Sequence, residues 1–130
     1  MDIVTVFSRA VARHGDRQFL FDPHRSVSFA EADAASNAVA HELIGRGVAE
    51  GDTVALASPD RVGLWLAIIG VWKAGALPSL IDARTPEARL PYFVHDISAE
   101  TVVAAPEVAD RLAAAGSASI VDLETLGADG

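Results

Sequence analysis

Three apolar runs follow one another between Thr53 and Ile81, and the middle one is apolar on nearly every side. Thr53-Val54-Ala55-Leu56-Ala57 lacks polar alternation, which is the pattern of a parallel strand covered on both faces. Ser58-Pro59-Asp60 then turns the chain into a helix where Val62, Leu64, Trp65, Leu66, Ile68, Ile69, Val71 and Trp72 leave hardly any polar side. Such a helix has to be buried on most sides. Gly75 ends it, and Ala76 to Ile81 reads as the next strand. Pro78 donates no ladder bond, which puts it at the start of that strand or on an edge.

The alternation continues downstream. Thr85-Pro86-Glu87 opens a helix with a capping threonine, a first-turn proline and an acid at the positive dipole end. Leu90, Phe93, Val94 and Ile97 form its inward stripe, and Pro91 kinks it or delays its regular part. Thr101 to Ala105 is a third strand, Pro106 to Ala115 a third crossover helix, and Ser119-Ile120-Val121 a fourth short strand. Strands and helices in strict alternation pair in parallel through right-handed crossovers, so the fold class is α/β, a doubly wound and mostly parallel sheet.

The first fifty residues differ. Ile3, Phe7 and Val11 recur at helical spacing behind Asp2 as cap. Gln18 to Phe21 and Ser26 to Phe29 read as a hairpin around the turn Asp22-Pro23-His24-Arg25. Ser28 and Glu31 form the S-x-x-E spacing of a capping box, and the helix they open runs to about Ile44. Its expected buried stripe is Ala32, Ala35, Val39 and Leu43, with Gly45 and Gly47 as the stop. Residues 1–126 thus make one α/β unit, with a frayed tail at 127–130.

Composition excludes several functions. Eighteen acids against ten bases give a net charge of −8, which repels nucleic acid. Absence of cysteine removes disulfides, thiolate metal sites and thiol nucleophiles. His14, His24, His41 and His95 include no i, i+4 pair that could share a metal on a helix face. The longest apolar stretch, Val62 to Trp72, is about half of the ~20 residues that a bilayer span needs, and a cytoplasmic location is expected.

The chemistry-bearing motifs are sparse. Gly45-Arg46-Gly47 to Gly51 follows a helix and precedes a strand, whereas a phosphate cradle needs strand, loop and helix in that order. No G-x-x-x-x-G-K and no G-x-S-x-G occurs. Asp52, Asp82 and Asp96 lie near element ends, where acids cap turns and helices, and no pair is spaced for acid and base work. Lys73 suits the negative end of its helix and Gly75 the tight reversal after it.

Val71-Trp72-Lys73-Ala74-Gly75-Ala76, followed by an apolar strand and Asp82, resembles the lysine-alanine-glycine motif near the start of adenylate-forming (AMP-binding) enzymes. That superfamily holds acyl-CoA synthetases, luciferases and peptide-synthetase adenylation domains. Val27-Ser28-Phe29-Ala30-Glu31-Ala32 resembles its early T-Y-x-E-L block, and Gly47 to Ala55 its G-V-x-x-G-D-x-V-A block. Pro86 to Leu90 and His95 to Ala99 look like the segment leading to its third strand, so the resemblance runs from about Val6 to Val121. Two departures stand out: Pro78 is early with Leu80 in the usual proline position, and Ser58-Pro59-Asp60 stands where many members carry an asparagine.

The resemblance implies an N-terminal subdomain of a larger fold. The family's phosphate loop, its later nucleotide motifs and its catalytic-lysine domain all come downstream of the matched blocks. ATP, magnesium and coenzyme A are therefore cofactors of a complete enzyme, none bound by this chain alone, and no catalytic or metal residue is assigned. By similarity to some acyl-CoA and aryl-CoA ligases, Arg84 is a candidate contact for coenzyme A phosphates; pairing with Asp82 or Glu87 is the plainer alternative. Leu80-Ile81-Asp82, without the Tyr and Pro pattern of peptide synthetases, favours an acyl-CoA ligase. The competing expectations are a stand-alone interaction or regulatory module and a flavodoxin-like small-molecule binder. A cut sheet with an open edge further predicts a partner, either the remainder of the ligase chain or a second copy in a homodimer.

Overall fold

The computed structural model describes residues 2–81, 101–104 and 119–122. The elements are α1 (Ile3–His14), β1 (Gln18–Phe21), β2 (Ser26–Ser28), α2 (Phe29–Gly45), β3 (Thr53–Ala57), α3 (Arg61–Lys73), β4 (Leu77–Leu80), β5 (Thr101–Ala104) and β6 (Ser119–Asp122). The expected helices between β4 and β5 and between β5 and β6, the tail at 127–130, Asp82, Asp96 and Arg84 lie outside the described residues.

The architecture is the expected α/β one. Strands β1 and β2 form an antiparallel hairpin, while the other four make a parallel sheet in the order β4-β3-β5-β6. Strand β3 is central, and its residues Val54 to Ala57 are fully buried, as its unalternated sequence requires.

Helix α3 is apolar all round because it separates two cores. One of its sides packs Ala67, Ile68 and Val71 against Val39 and Leu43 of α2 and Val54, Leu56 and Val103 of the sheet. The other packs Val62, Leu66 and Ile69 against Phe7, Val27 and Ala32. Phe7, Phe19 and Phe29 meet in this second core with ring centroids 4.7 to 6.4 Å apart. Trp65 departs from the expectation and is 48% exposed.

Helices α2 and α3 cross at Gly70. A Cβ there would come within 2.5 Å of the Val39 side chain and 3.0 Å of the Ser36 carbonyl, so glycine sets the approach. The buried stripe of α2 shifts accordingly: Ser36 is fully buried, whereas Ala35 is only half-buried. Ser36 pays no polar penalty, since its hydroxyl donates to the Asp33 carbonyl.

Both helices leading into the sheet stop in the same way. After α3, Gly75 takes φ 81°, its amide donates to the Trp72 carbonyl, and Ala76 donates to Val71. After α2, Gly47 (φ 95°) donates to Ile44, and Val48 donates to Leu43. Each is a left-handed glycine stop in which backbone bonds absorb the last carbonyls.

The edge position of Pro78 is explained by the register. Leu77 and Ile81 donate to the carbonyls of Asp52 and Leu56 on β3, both at 2.8 Å. Alternation then turns the amide positions of Pro78 and Leu80 to the open side, where a missing N–H costs no ladder bond.

Candidate functional site

In an open parallel sheet, ligands bind beyond the carboxyl ends of the strands. At that end of β3 the chain passes through Ser58-Pro59-Asp60 into α3, and the hairpin turn Asp22–Arg25 rises beside it. Between the two lies an open cleft of about 400 Å³ lined by these two turns and Arg61.

Each turn is held by its own carboxylate. Asp22 Oδ1 accepts from the amides of His24 and Arg25 at 2.8 and 2.9 Å. These two amide bonds hold the Asp22 carboxyl below its ordinary range. Ser58 Oγ accepts from the Asp60 amide, and Asp60 Oδ1 from the Gly63 amide at 3.1 Å. The second Asp60 oxygen takes the Arg25 guanidinium at 2.8 Å, joining hairpin to helix.

This arrangement decides against a phosphate cradle at α3. The amino end of the helix is already capped by a carboxylate, so an incoming phosphate would meet Asp60 and be repelled. Among the described residues no group of three His, Asp or Glu side chains could hold a metal ion.

Lys73, the lysine of the recognised motif, behaves differently from the helix-end role expected of it. Its side chain is 9% exposed, and the ammonium reaches across to α2. It donates to Asp33 Oδ1 at 2.7 Å, to the Asp33 carbonyl at 3.3 Å and to Asn37 Oδ1 at 2.8 Å. Phe7 presents its ring face 5.1 Å from the same nitrogen. The carbonyls at the end of α3 are served instead by Ala74, Gly75 and Ala76 amides, which frees the lysine for this bridge. All three donor directions of the ammonium are used, so Lys73 is a structural tie between α1, α2 and α3.

The other recognised blocks are also joints. Ser28 and Glu31 form the complete capping box, with Oγ taking the Glu31 amide at 3.1 Å and the carboxylate taking the Ser28 amide at 2.9 Å. The Ser28 amide first, and its hydroxyl second, hold the Glu31 carboxyl below its ordinary range. In the Gly47 to Ala55 block, Asp52 Oδ2 accepts from the Ala49 amide at 2.8 Å, and Gly51 donates to the Gly75 carbonyl at 2.9 Å. Two blocks distant in sequence are thereby stitched at the amino end of the sheet.

Sequence reading missed Asp33 and Asn37 as partners of Lys73, although their i, i+4 spacing on a capped helix was visible. The Arg25–Asp60 pair carried no signal, because its members are 35 residues apart on different motifs.

Among the described residues, then, the motif blocks serve as joints between the elements of a parallel α/β sheet. The chain belongs to the AMP-binding enzyme family, whose model matches residues 7–128. A Salinispora arenicola protein described as a "Probable non-canonical nonribosomal peptide synthetase (NRPS) CymA" is 34% identical over 101 residues, 78% of this chain and 1% of that protein. The "Medium/long-chain-fatty-acid--CoA/3-oxocholest-4-en-26-oate--CoA ligase" of Mycobacterium marinum is 29% identical over 113 residues, 87% of this chain and 20% of its own length.

Among solved structures, the N-terminal subdomain of Klebsiella oxytoca NpsA superposes with a TM-score of 0.83 at 19% identity, over 98% of this chain and 32% of that one. The chain thus spans a fifth or less of these two curated relatives and about a third of the solved neighbour. It corresponds to the N-terminal portion of an adenylate-forming enzyme. No described helix is long and apolar enough to cross a membrane.

Proposed function

We propose that this chain is the N-terminal scaffold of an enzyme that activates a carboxylic acid as its acyl-adenylate with ATP and passes the acyl group to the thiol of coenzyme A. The observation that carries the reading is that every family motif within the described residues resolves into a joint. Lys73 ties helices, Ser28 and Glu31 cap one, and Gly47, Asp52 and Gly75 shape turns into the sheet. The Asp60 carboxylate that caps α3 takes the place a phosphate would need at that helix end. ATP and magnesium are accordingly assigned in this reading to residues of the complete enzyme outside this scaffold.

Coenzyme A as acceptor is supported by Leu80-Ile81-Asp82, which lacks the Tyr and Pro pattern of peptide synthetases. The reading in which the acceptor is a carrier-protein thiol is favoured by the Salinispora relative. A stand-alone interaction module has no observation on its side.

The test is ATP–pyrophosphate exchange over a panel of fatty, aromatic and amino acids. The 130-residue chain should be silent with every acid. The full product of the gene should exchange with one class and then form a thioester with coenzyme A. Exchange by the 130-residue chain alone would refute the scaffold reading, and acylation only of a carrier protein would move the assignment to the second acceptor. In the full product, Arg84→Ala should raise the KM for coenzyme A while leaving that for ATP unchanged; an unchanged coenzyme A value removes Arg84 from the site.

A further inference from the structure

We draw no further inference here: the strongest candidate, the open cleft between the hairpin turn Asp22–Arg25 and the turn from β3 into α3, belongs to the site already described, and its two carboxylates are taken up by backbone amides and by Arg25, so nothing in the structure shows which ligand would fill it.

Discussion

Replacing Lys73 by methionine separates the structural role of the motif lysine from a chemical one. Methionine keeps the length and apolar stem of the side chain but deletes the ammonium, so the oxygens of Asp33 and Asn37 lose a common donor. Removing one partner of a buried ion pair costs about 3–5 kcal/mol. Here the Asp33 side chain is 35% exposed, so water takes over part of its solvation and the cost falls. One charged hydrogen bond and the contact with Phe7 then set the scale, about 2–3 kcal/mol. For a domain of this size that corresponds to a melting temperature lower by roughly 10 °C.

Calorimetry or urea titration of the 130-residue chain reads the loss directly. Asp33→Asn combined with Lys73→Met should recover about 1–2 kcal/mol of the summed single losses, because the second change removes a charge that the first left unpaired. In the full gene product, kcat and KM for ATP should be unchanged at a temperature well below melting. A variant that melts within about 2 °C of the parent yet loses pyrophosphate exchange would refute the argument, for Lys73 would then act on substrate.

Three further outcomes are expected. Gly70→Ala gains about 1 kcal/mol of helix propensity, but its Cβ would sit 2.5 Å from the Val39 side chain, so a net loss of about 1–3 kcal/mol by urea titration is expected from overpacking; Val39→Ala in the same chain should restore part of it. Ser28→Ala opens the capping box and should cost about 1 kcal/mol, read by the same titration. The Asp2, Asp22 and Glu31 carboxyls are all held below their ordinary values by hydrogen bonds from backbone amides. Depressed carboxyls stabilise the fold above their unfolded values and lose that contribution as pH falls through the folded ones. Stability should therefore be flat near neutrality and fall in the acid range, with a shallower fall in Glu31→Gln; an identical acid limb in that variant would rule out the capping carboxylate as a source.

The parts of the fold legible in the sequence are those whose cause is local. The Ser28–Glu31 box, the Asp22 turn and the glycine stops at Gly47 and Gly75 each depend on residues within a few positions of one another, and the structure places all of them as read. The unalternated run of β3 and the all-round apolarity of α3 were equally legible, since each states how many of its sides are covered without saying by what. What was hidden is what joins distant segments. Helix-dipole reasoning places Lys73 on the nearest carbonyls, yet backbone amides satisfy them and the ammonium crosses to α2, where Asp33 and Asn37 stand 40 and 36 residues away. Polarity keeps Ser36 off the stripe a sequence pattern predicts, although its hydroxyl is satisfied by its own helix.

The same distinction governs the candidate site. The cleft at the carboxyl end of β3 is made by two turns that share no motif, and the Arg25–Asp60 pair joining them lies on their solvent side. An exposed pair of this kind contributes only about 0–1 kcal/mol, too little to constrain either turn. Position in the sheet, rather than residue pattern, is what marks this place. A scaffold leaves this signature: its motifs specify how elements are joined, while the cleft at the end of the sheet is specified by topology alone.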